Sequence, residues 1–332
     1  MYSNVERSDE YSSAEIIARS VMTEQARSRR LTSLDYKNRL LDYIRNEYGI
    51  EAVSITPAKR GFYGETWRLD AADTSFFLKM VYPAVHKLVY ERSFSLVQHL
   101  CDHGIHFISQ IVKTVDGRLS AQFDGAVVGI FDWIDGENVQ NEKTKVQEYR
   151  MLAKVYTVSS NCINIPCEDF SGNSADKFYE QWSTLQDNQL CSLFEKNRTK
   201  IEHRASRLKR FSGLCRGDTT HFVITHGDAG GNVIENGNRY YIVDWDNAIL
   251  APIERDAWFG MGWDWMLPAF NDALRENGID YTLRPERLAY YCYDFFFFYL
   301  NAYLDASTQA DIVEEYIDGW IAESFKYADE IP

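Results

Sequence analysis

The sequence predicts an α+β protein in which a strand-rich segment precedes a larger helical one. Three observations carry this reading. Between residues 52 and 134, β-branched and aromatic runs of strand length alternate with turn signals. From 142 to 212, and again from 260 to 332, apolar residues fall at helical spacing. Between the two helical stretches lies a strand-and-hairpin stretch, His221 to Asp246, rich in glycine, asparagine and aspartate. A chain of 332 residues has room for one large domain or two lobes. The pattern divides it into a helical extension over 1–50, strands with one helix over 51–135, and mainly helices over 136–332.

Residues 1–13 are polar, and Ser13 to Arg29 carries Ile16, Ile17, Val21 and Met22 at helical spacing. Ser33, then Leu40, Leu41 and Ile44, mark a helix that runs to about Tyr48 and is stopped by Gly49. Val53 to Thr56 reads as a strand, Lys59 to Leu69 as a hairpin containing Gly61 and Gly64, and Phe76 to Val81 as a further strand. Within that strand Lys79 is flanked by large apolar residues. It either faces solvent at an edge or is placed in a cleft for an anion. Ala84 to His103 has the helical stripe Leu88, Phe94, Leu96, Val97 and Leu100, carries Glu91 and stops at Gly104. Ile111 to Val115 and Arg118 to Phe123 flank an Asp116-Gly117 turn. Ala126 to Ile134, with Phe131 and Trp133, reads as a buried strand ending at Asp135-Gly136. Beyond it, Tyr149, Leu152, Ala153 and Tyr156 form one helical stripe, and Phe178 to Phe194 and Ile201 to Leu214 carry others. Asp294 to Asp305 is too apolar all round for a surface helix and belongs in a core.

The net charge of −14 argues against nucleic acid as a partner, because phosphate backbones demand Lys/Arg patches. It suits a cationic small molecule, although solubility alone would also account for it. Six scattered cysteines form no C-x-x-C pair, which disfavours zinc and redox motifs and fits reduced thiols. The opening MYSNVERSDEYSS lacks an apolar core, and Phe295 to Leu300 is too short to span a bilayer. The expectation is a cytoplasmic protein without a membrane partner.

The chemistry concentrates in HFVITHGDAGGNVIENGNRYYIVDWD, residues 221–246. Phe222 to Thr225 is an apolar strand. A polar loop, His226 to Asn232, follows, and then Val233 to Glu235, Asn236-Gly237 and Asn238 to Val243 read as a hairpin. A type I′ turn on Asn236-Gly237 pairs Glu235 with Asn238, Ile234 with Arg239, Val233 with Tyr240 and Asn232 with Tyr241. It brings Asp244 opposite the loop that holds Asp228 and Asn232. Two carboxylates and an amide are hard oxygen donors suited to Mg²⁺, and a carboxylate on a glycine-flanked loop can accept a hydroxyl proton. Taken alone, an HGD tripeptide reads better as a surface turn whose Asp merely caps it; HGD together with a nearby Asn and a strand-terminal Asp favours the chemical reading.

This stretch resembles the catalytic core of the aminoglycoside phosphotransferase and choline kinase family, relatives of the protein kinases, over roughly residues 35–300. Its DWD-to-ERD segment, Asp244 to Asp256, is similar to the spectinomycin phosphotransferase branch. The resemblance implies a bilobal protein-kinase-like fold, with a small β-rich N-lobe, a larger helical C-lobe, and ATP and Mg²⁺ between them. It implies Asp228 as catalytic base, Asn232 and Asp244 as metal ligands, and His226 as a loop-shaping residue. Lys79 would grip the α- and β-phosphates, oriented by an ion pair with Glu91. The Gly61–Gly64 loop would cover the phosphates, and the main chain around Phe131 to Ile134, including Trp133, would read adenine. Asp256 would support the loop from behind. Asp264 and Trp265 fall where relatives build the acceptor pocket, and their charge and ring would suit an amino sugar. One departure is that three residues, not four, separate Asp228 from Asn232. DWD stands where protein kinases carry D-F-G, and no A-P-E follows, which favours a small-molecule acceptor. The implied function is transfer of the ATP γ-phosphoryl group to a hydroxyl of an aminoglycoside or aminocyclitol. The alternatives are a metabolite kinase of choline, homoserine or sugar type, and a catalytically inactive nucleotide-binding module.

Overall fold

The chain folds around one antiparallel sheet flanked on each face by a helix, followed by a helical body. The computed structural model describes residues 29–58, 64–82, 84–161, 163–305, 308–320 and 322–332. The expected helix over Ser13 to Arg29, except Arg29 itself, and Gly61 lie outside these residues.

Helix α1 (Leu34–Tyr48) starts where Ser33 Oγ accepts from the Tyr36 amide at 3.2 Å and ends at Gly49, whose φ is 67°. Tyr36, Leu40, Ile44 and Tyr48 repeat every four residues, so they share one face and are all buried. That face covers a sheet ordered β1 (Ser54–Pro57), β2 (Glu65–Asp70), β3 (Ser75–Val81), β6 (Ala126–Asp132) and β4 (Ile111–Val112), with β5 (Ala121–Phe123) also paired to β6. Strand alternation puts Leu78 and Met80 of β3 into the cluster with α1. Lys79 therefore points to the opposite face, where helix α2 (Ala84–Asp102) lies. Gly129 is opposite Lys79 in the register. A Cβ on Gly129 would come within 2.5 Å of the Phe94 ring, so glycine is what lets α2 sit this close to β6.

β6 stops at Asp132, two residues short of the expected Ile134, although the Trp133 amide still donates across to Ser75 O at 3.3 Å, as the register of the pair requires. The strands expected over Ile111–Val115 and Arg118–Phe123 shorten to Ile111–Val112 and Ala121–Phe123. Gly136 then carries the chain out of the sheet at φ 143°. Glu137 exchanges backbone hydrogen bonds with Glu235, at 3.0 and 2.8 Å, which ties this crossing to a hairpin that follows later in the chain.

The helical body contains α3 (Glu142–Tyr156), α4 (Asn173–Thr184), α5 (Asn188–Lys196), α6 (Arg198–Cys215), α7 (Glu254–Ala257), α8 (Met266–Glu276), α9 (Pro285–Asp305), α10 (Ala310–Glu315) and α11 (Ala322–Glu330). As expected, α9 runs through its centre: Phe295, Phe296, Phe297 and Leu300 are buried, while Phe298 is exposed. Each fully buried ring or leucine contributes roughly 1.5–3 kcal/mol of transfer free energy. No helix among the described residues is long and apolar enough to cross a membrane.

Two small ribbons sit between the sheet and this body. β7 (Phe222–Thr225) pairs with β10 (Ile249–Pro252), and β8 (Val233–Asn236) with β9 (Arg239–Ile242). The β8–β9 register differs from the expected one. Asn236 pairs with Arg239, Glu235 with Tyr240, Ile234 with Tyr241 and Val233 with Ile242, so the loop is Gly237-Asn238. Gly237, at φ 59°, takes the first loop position, which suits a type II′ turn and spares Asn238 a positive φ. Each partner slides by two positions, so no side chain changes face. Val243 N donates to Asn232 O at 3.0 Å, and Asp244 still emerges beside the loop.

Candidate active site

The loop between β7 and β8 is held from below by a set of hydrogen bonds. Asp256 accepts from Gly227 N at 2.6 Å, His226 N at 3.1 Å and Tyr156 OH at 3.0 Å. His226 is fully buried, with Nε2 3.0 Å from Val243 O and Nδ1 3.2 Å from the Asp228 amide. A carbonyl can only accept, so Nε2 carries the proton and Nδ1 accepts from Asp228 N. The ring packs edge-on against buried Trp245 at 4.6 Å. His226 thus joins the start of the loop to the start of the Asp244–Asp246 segment. Gly227 takes φ 79° directly above the Arg255 guanidinium, into which any Cβ would project. Arg255 itself is committed to Thr225 Oγ1 at 3.1 Å and Asn247 O at 2.9 Å.

On this support Asp228 and Asn232 face each other across Ala229–Gly231, a single 3₁₀ turn. Asn232 Nδ2 donates to Asp228 O at 2.7 Å and approaches Asp228 Oδ2 at 3.4 Å. Using the amide nitrogen in this way leaves the Asn232 carbonyl oxygen as the group that can meet a cation. Tyr299 from α9 donates to Asp228 Oδ1 at 3.2 Å. Burial raises the pKa of Asp228 above the ordinary carboxylate range, opposed by His226 and by the hydrogen bonds from Tyr299 and Asn232.

Asp244 has φ 66°, a left-handed conformation that an aspartate tolerates better than most residues. Its Oδ1 meets Lys79 Nζ at 2.6 Å, and Asp246 Oδ2 meets the same ammonium at 2.5 Å. The Tyr90 ring from α2 lies 4.6 Å from Nζ. Burial opposes the lysine's charge, but the Asp246 and Asp244 carboxylates outweigh it and raise the Lys79 pKa. For Asp244, burial is likewise outweighed by Lys79, and its pKa lies below the usual value. For Asp246, burial wins and the pKa is raised. Asp244 keeps an exposed side, at 47% of its side chain, whereas Lys79 and Asp246 are at 10% and 18%.

Two cavities meet at this point. One, of about 420 Å³, is lined by Phe77, Lys79, Phe131, Trp133, Asn232 and Asp244, among others. The other, of about 580 Å³, is lined by Lys145, Asp228, Trp258, Phe259, Trp265 and Tyr299, among others. Gly231 lines both. Asp228 and the Lys79–Asp244 pair therefore stand on opposite sides of one boundary.

Of the residues singled out in the sequence, Lys79, Asp228, Asn232 and Asp244 come together here. Phe131 and Trp133 wall the smaller cavity, but the Asp132 and Trp133 amides already donate to Gln110 O and Ser75 O. Gly64 lies at the start of β2, where a Cβ would meet the Tyr90 hydroxyl and Met80 O. Trp265 lines the larger cavity, whereas Asp264 is exposed and accepts from Tyr327 OH at 3.1 Å, outside that wall. The expected ion pair between Glu91 and Lys79 is not formed. Sequence reading also passed over Asp246, Tyr90, Tyr299 and the Lys145–Glu148 pair (2.8 Å) on the cavity wall. Asp246, two residues after Asp244, was the one with a visible signal.

The family model described as the phosphotransferase enzyme family matches residues 54–320, and the chain belongs to that family. Solved structures show the same bilobal protein-kinase-like fold. A spectinomycin phosphotransferase, APH(9)-Ia, with ADP and spectinomycin is 21% identical, with a TM-score of 0.68 over 89% of this chain and 94% of its own. Choline kinase from Cryptosporidium parvum is 10% identical, with a TM-score of 0.59 over 89% and 96%. An amicoumacin kinase in complex with AMP-PNP, Ca²⁺ and Ami is 12% identical, with a TM-score of 0.58 over 89% and 94%. No curated protein matches the sequence significantly.

Proposed function

We propose that the protein transfers the γ-phosphoryl group of ATP to a hydroxyl of a small, cationic acceptor such as an aminoglycoside or aminocyclitol. The observation that carries this reading is the shared boundary: a half-buried carboxylate, Asp228, on one side, and a lysine with two oxygen donors on the other. In this reading the nucleotide occupies the smaller cavity, its base among Phe77, Phe131 and Trp133, with Lys79 holding the α- and β-phosphates. The acceptor occupies the larger cavity and presents its hydroxyl to Asp228, which takes or orients the proton. The aromatic walls Trp258, Phe259, Trp265 and Tyr299 suit an amino-bearing ring through cation–π contact.

Asp244 and the Asn232 carbonyl oxygen are the hard donors that would hold Mg²⁺, which supplies charge neutralisation on the phosphates when bound. No group of three or more His, Cys, Asp or Glu among the described residues could hold a metal. Catalysis by this site is mainly positioning and electrostatics. The test is a phosphate-transfer screen with Mg·ATP across aminoglycosides, aminocyclitols, choline and amino sugars. Transfer to an amine-bearing hydroxyl compound supports the reading. Tight Mg·ATP binding with no transfer to any acceptor class would favour a nucleotide-binding module instead.

A further inference from the structure

The geometry points to Asp246, backed by Ser93 of α2, as the residue that positions Lys79, a task that Glu91 does not perform. The inference rests on Lys79 being the phosphate-binding lysine of the proposed reaction.

Helix α2 turns one face toward the sheet. Tyr90, Ser93, Phe94 and Val97 are buried, and they share the face toward the sheet and the smaller cavity. Residues two apart on a helix do not face the same way. With Ser93 directed inward, Glu91 falls on the flank of α2, and Arg92 beside it is exposed. Lys79 Nζ takes Asp246 at 2.5 Å and Asp244 at 2.6 Å. Ser93 lines the same cavity wall as Lys79 and Asp246, and its hydroxyl acts on the Asp246 carboxylate. The link from α2 to the lysine therefore runs through a serine and a carboxylate supplied by the segment after β9.

The two carboxylates are not equivalent. Asp244 is half-exposed on the cavity rim, while Asp246 lies deeper, with Oδ1 buried and without a hydrogen-bond partner among the described residues. Buried Trp245 between them anchors the segment through its packing on His226 and its indole N–H to Ile242 O at 3.3 Å. Asp244 can thus turn its oxygens to a cation at the rim while Asp246 keeps the ammonium oriented. Lys79 so held reaches the phosphates from a fixed point. Without Asp246, the ammonium would follow Asp244 and compete with the cation for it.

The test compares Mg·ADP with adenosine, binding being followed by calorimetry on the whole chain. Lys79 meets only phosphates, so its positioning matters to ADP and not to adenosine. Lys79→Met should weaken Mg·ADP binding about tenfold or more, Asp246→Asn should weaken it at least fivefold, and Glu91→Gln should stay within twofold. Adenosine affinity should remain unchanged in all three. Asp246→Asn within twofold of the wild type, while Lys79→Met weakens ADP, overturns the inference and leaves the proposed function standing. So does a larger loss from Glu91→Gln than from Asp246→Asn. No effect of Lys79→Met on ADP overturns the phosphate role of the lysine itself, and the inference with it. If Asp246→Asn loses its melting transition, Ser93→Ala carries the same comparison: ADP weakened threefold with adenosine unchanged supports the relay, and unchanged ADP refutes it.

Discussion

At the scale of single residues, Asp228 is set apart by its surroundings. Burial lifts its pKa, and the Tyr299 hydroxyl is one of the contacts that hold it down. A base must be ionised to accept a proton, so activity should fall on the acid side at a pH above the ~3.9 of an ordinary aspartate. Tyr299→Phe removes a donor to the carboxylate and should move that acid limb further up, as a pH–kcat profile would show. A limb that stays in place would remove Tyr299 from the account. Asp228→Asn should lose on the order of 10²–10⁴-fold in turnover while Mg·ADP binding is retained. Gly227→Ala would meet two obstacles together, a positive φ and the Arg255 guanidinium. It should lower the melting temperature and abolish turnover; a variant with wild-type stability would show that the loop is free to shift.

At the scale of elements, Asp294 on α9 is a half-buried carboxyl whose pKa is pushed up to about 6 by desolvation despite the Ser174 hydroxyl 2.6 Å from Oδ1. The unfolded chain has the lower value, so between pH ~4 and ~6 the folded state binds more protons than the unfolded state. The contribution of Asp294 to stability is therefore greatest at low pH and declines as pH rises through this window. Asp294→Asn keeps an acceptor for Ser174 and should raise the melting temperature at pH 7.5 while changing little at pH 4. An equal shift at both values would contradict the linkage. Gly136→Ala would push a Cβ into Glu235 O and break the Glu137–Glu235 pairing that joins the lobe crossing to β8. It should cost stability and weaken Mg·ADP binding together, which parallel melting and calorimetry would reveal. Elements built from local signals were legible in the sequence: Ser33 and Gly49 delimit α1, and the apolar run of α9 lies in the core. The hairpin turn was displaced by one residue because a single glycine in a type II′ turn removes the need for a second positive φ. The site survived that slip because sliding partners by two positions preserves every face. Glu91 failed for a different reason: sequence shows that a glutamate lies on the helix, but the phase of α2 against the sheet is decided by Phe94 packing on Gly129.

For the whole molecule, the candidate site depends on two surfaces from distant parts of the chain meeting. The sheet brings Lys79, the ribbons bring Asp228, Asn232, Asp244 and Asp246, and the boundary at Gly231 belongs to both cavities. The convergence of the ribbon residues was legible because they lie within one short stretch. The depth of the larger cavity was not, since Lys145, Trp258 and Tyr299 come from distant segments and meet only in the folded chain. Because a nucleotide would bridge the two surfaces, Mg·ADP at about 100 times its dissociation constant should stabilise the fold by about 2.7 kcal/mol in one cooperative transition. The most direct measurement follows the labelled γ-phosphoryl group of ATP into a panel of aminoglycosides and aminocyclitols, comparing the wild type with Asp228→Asn. The account predicts Mg²⁺-dependent labelling of an acceptor by the wild type and its loss in the variant. Equal labelling by both proteins would contradict it.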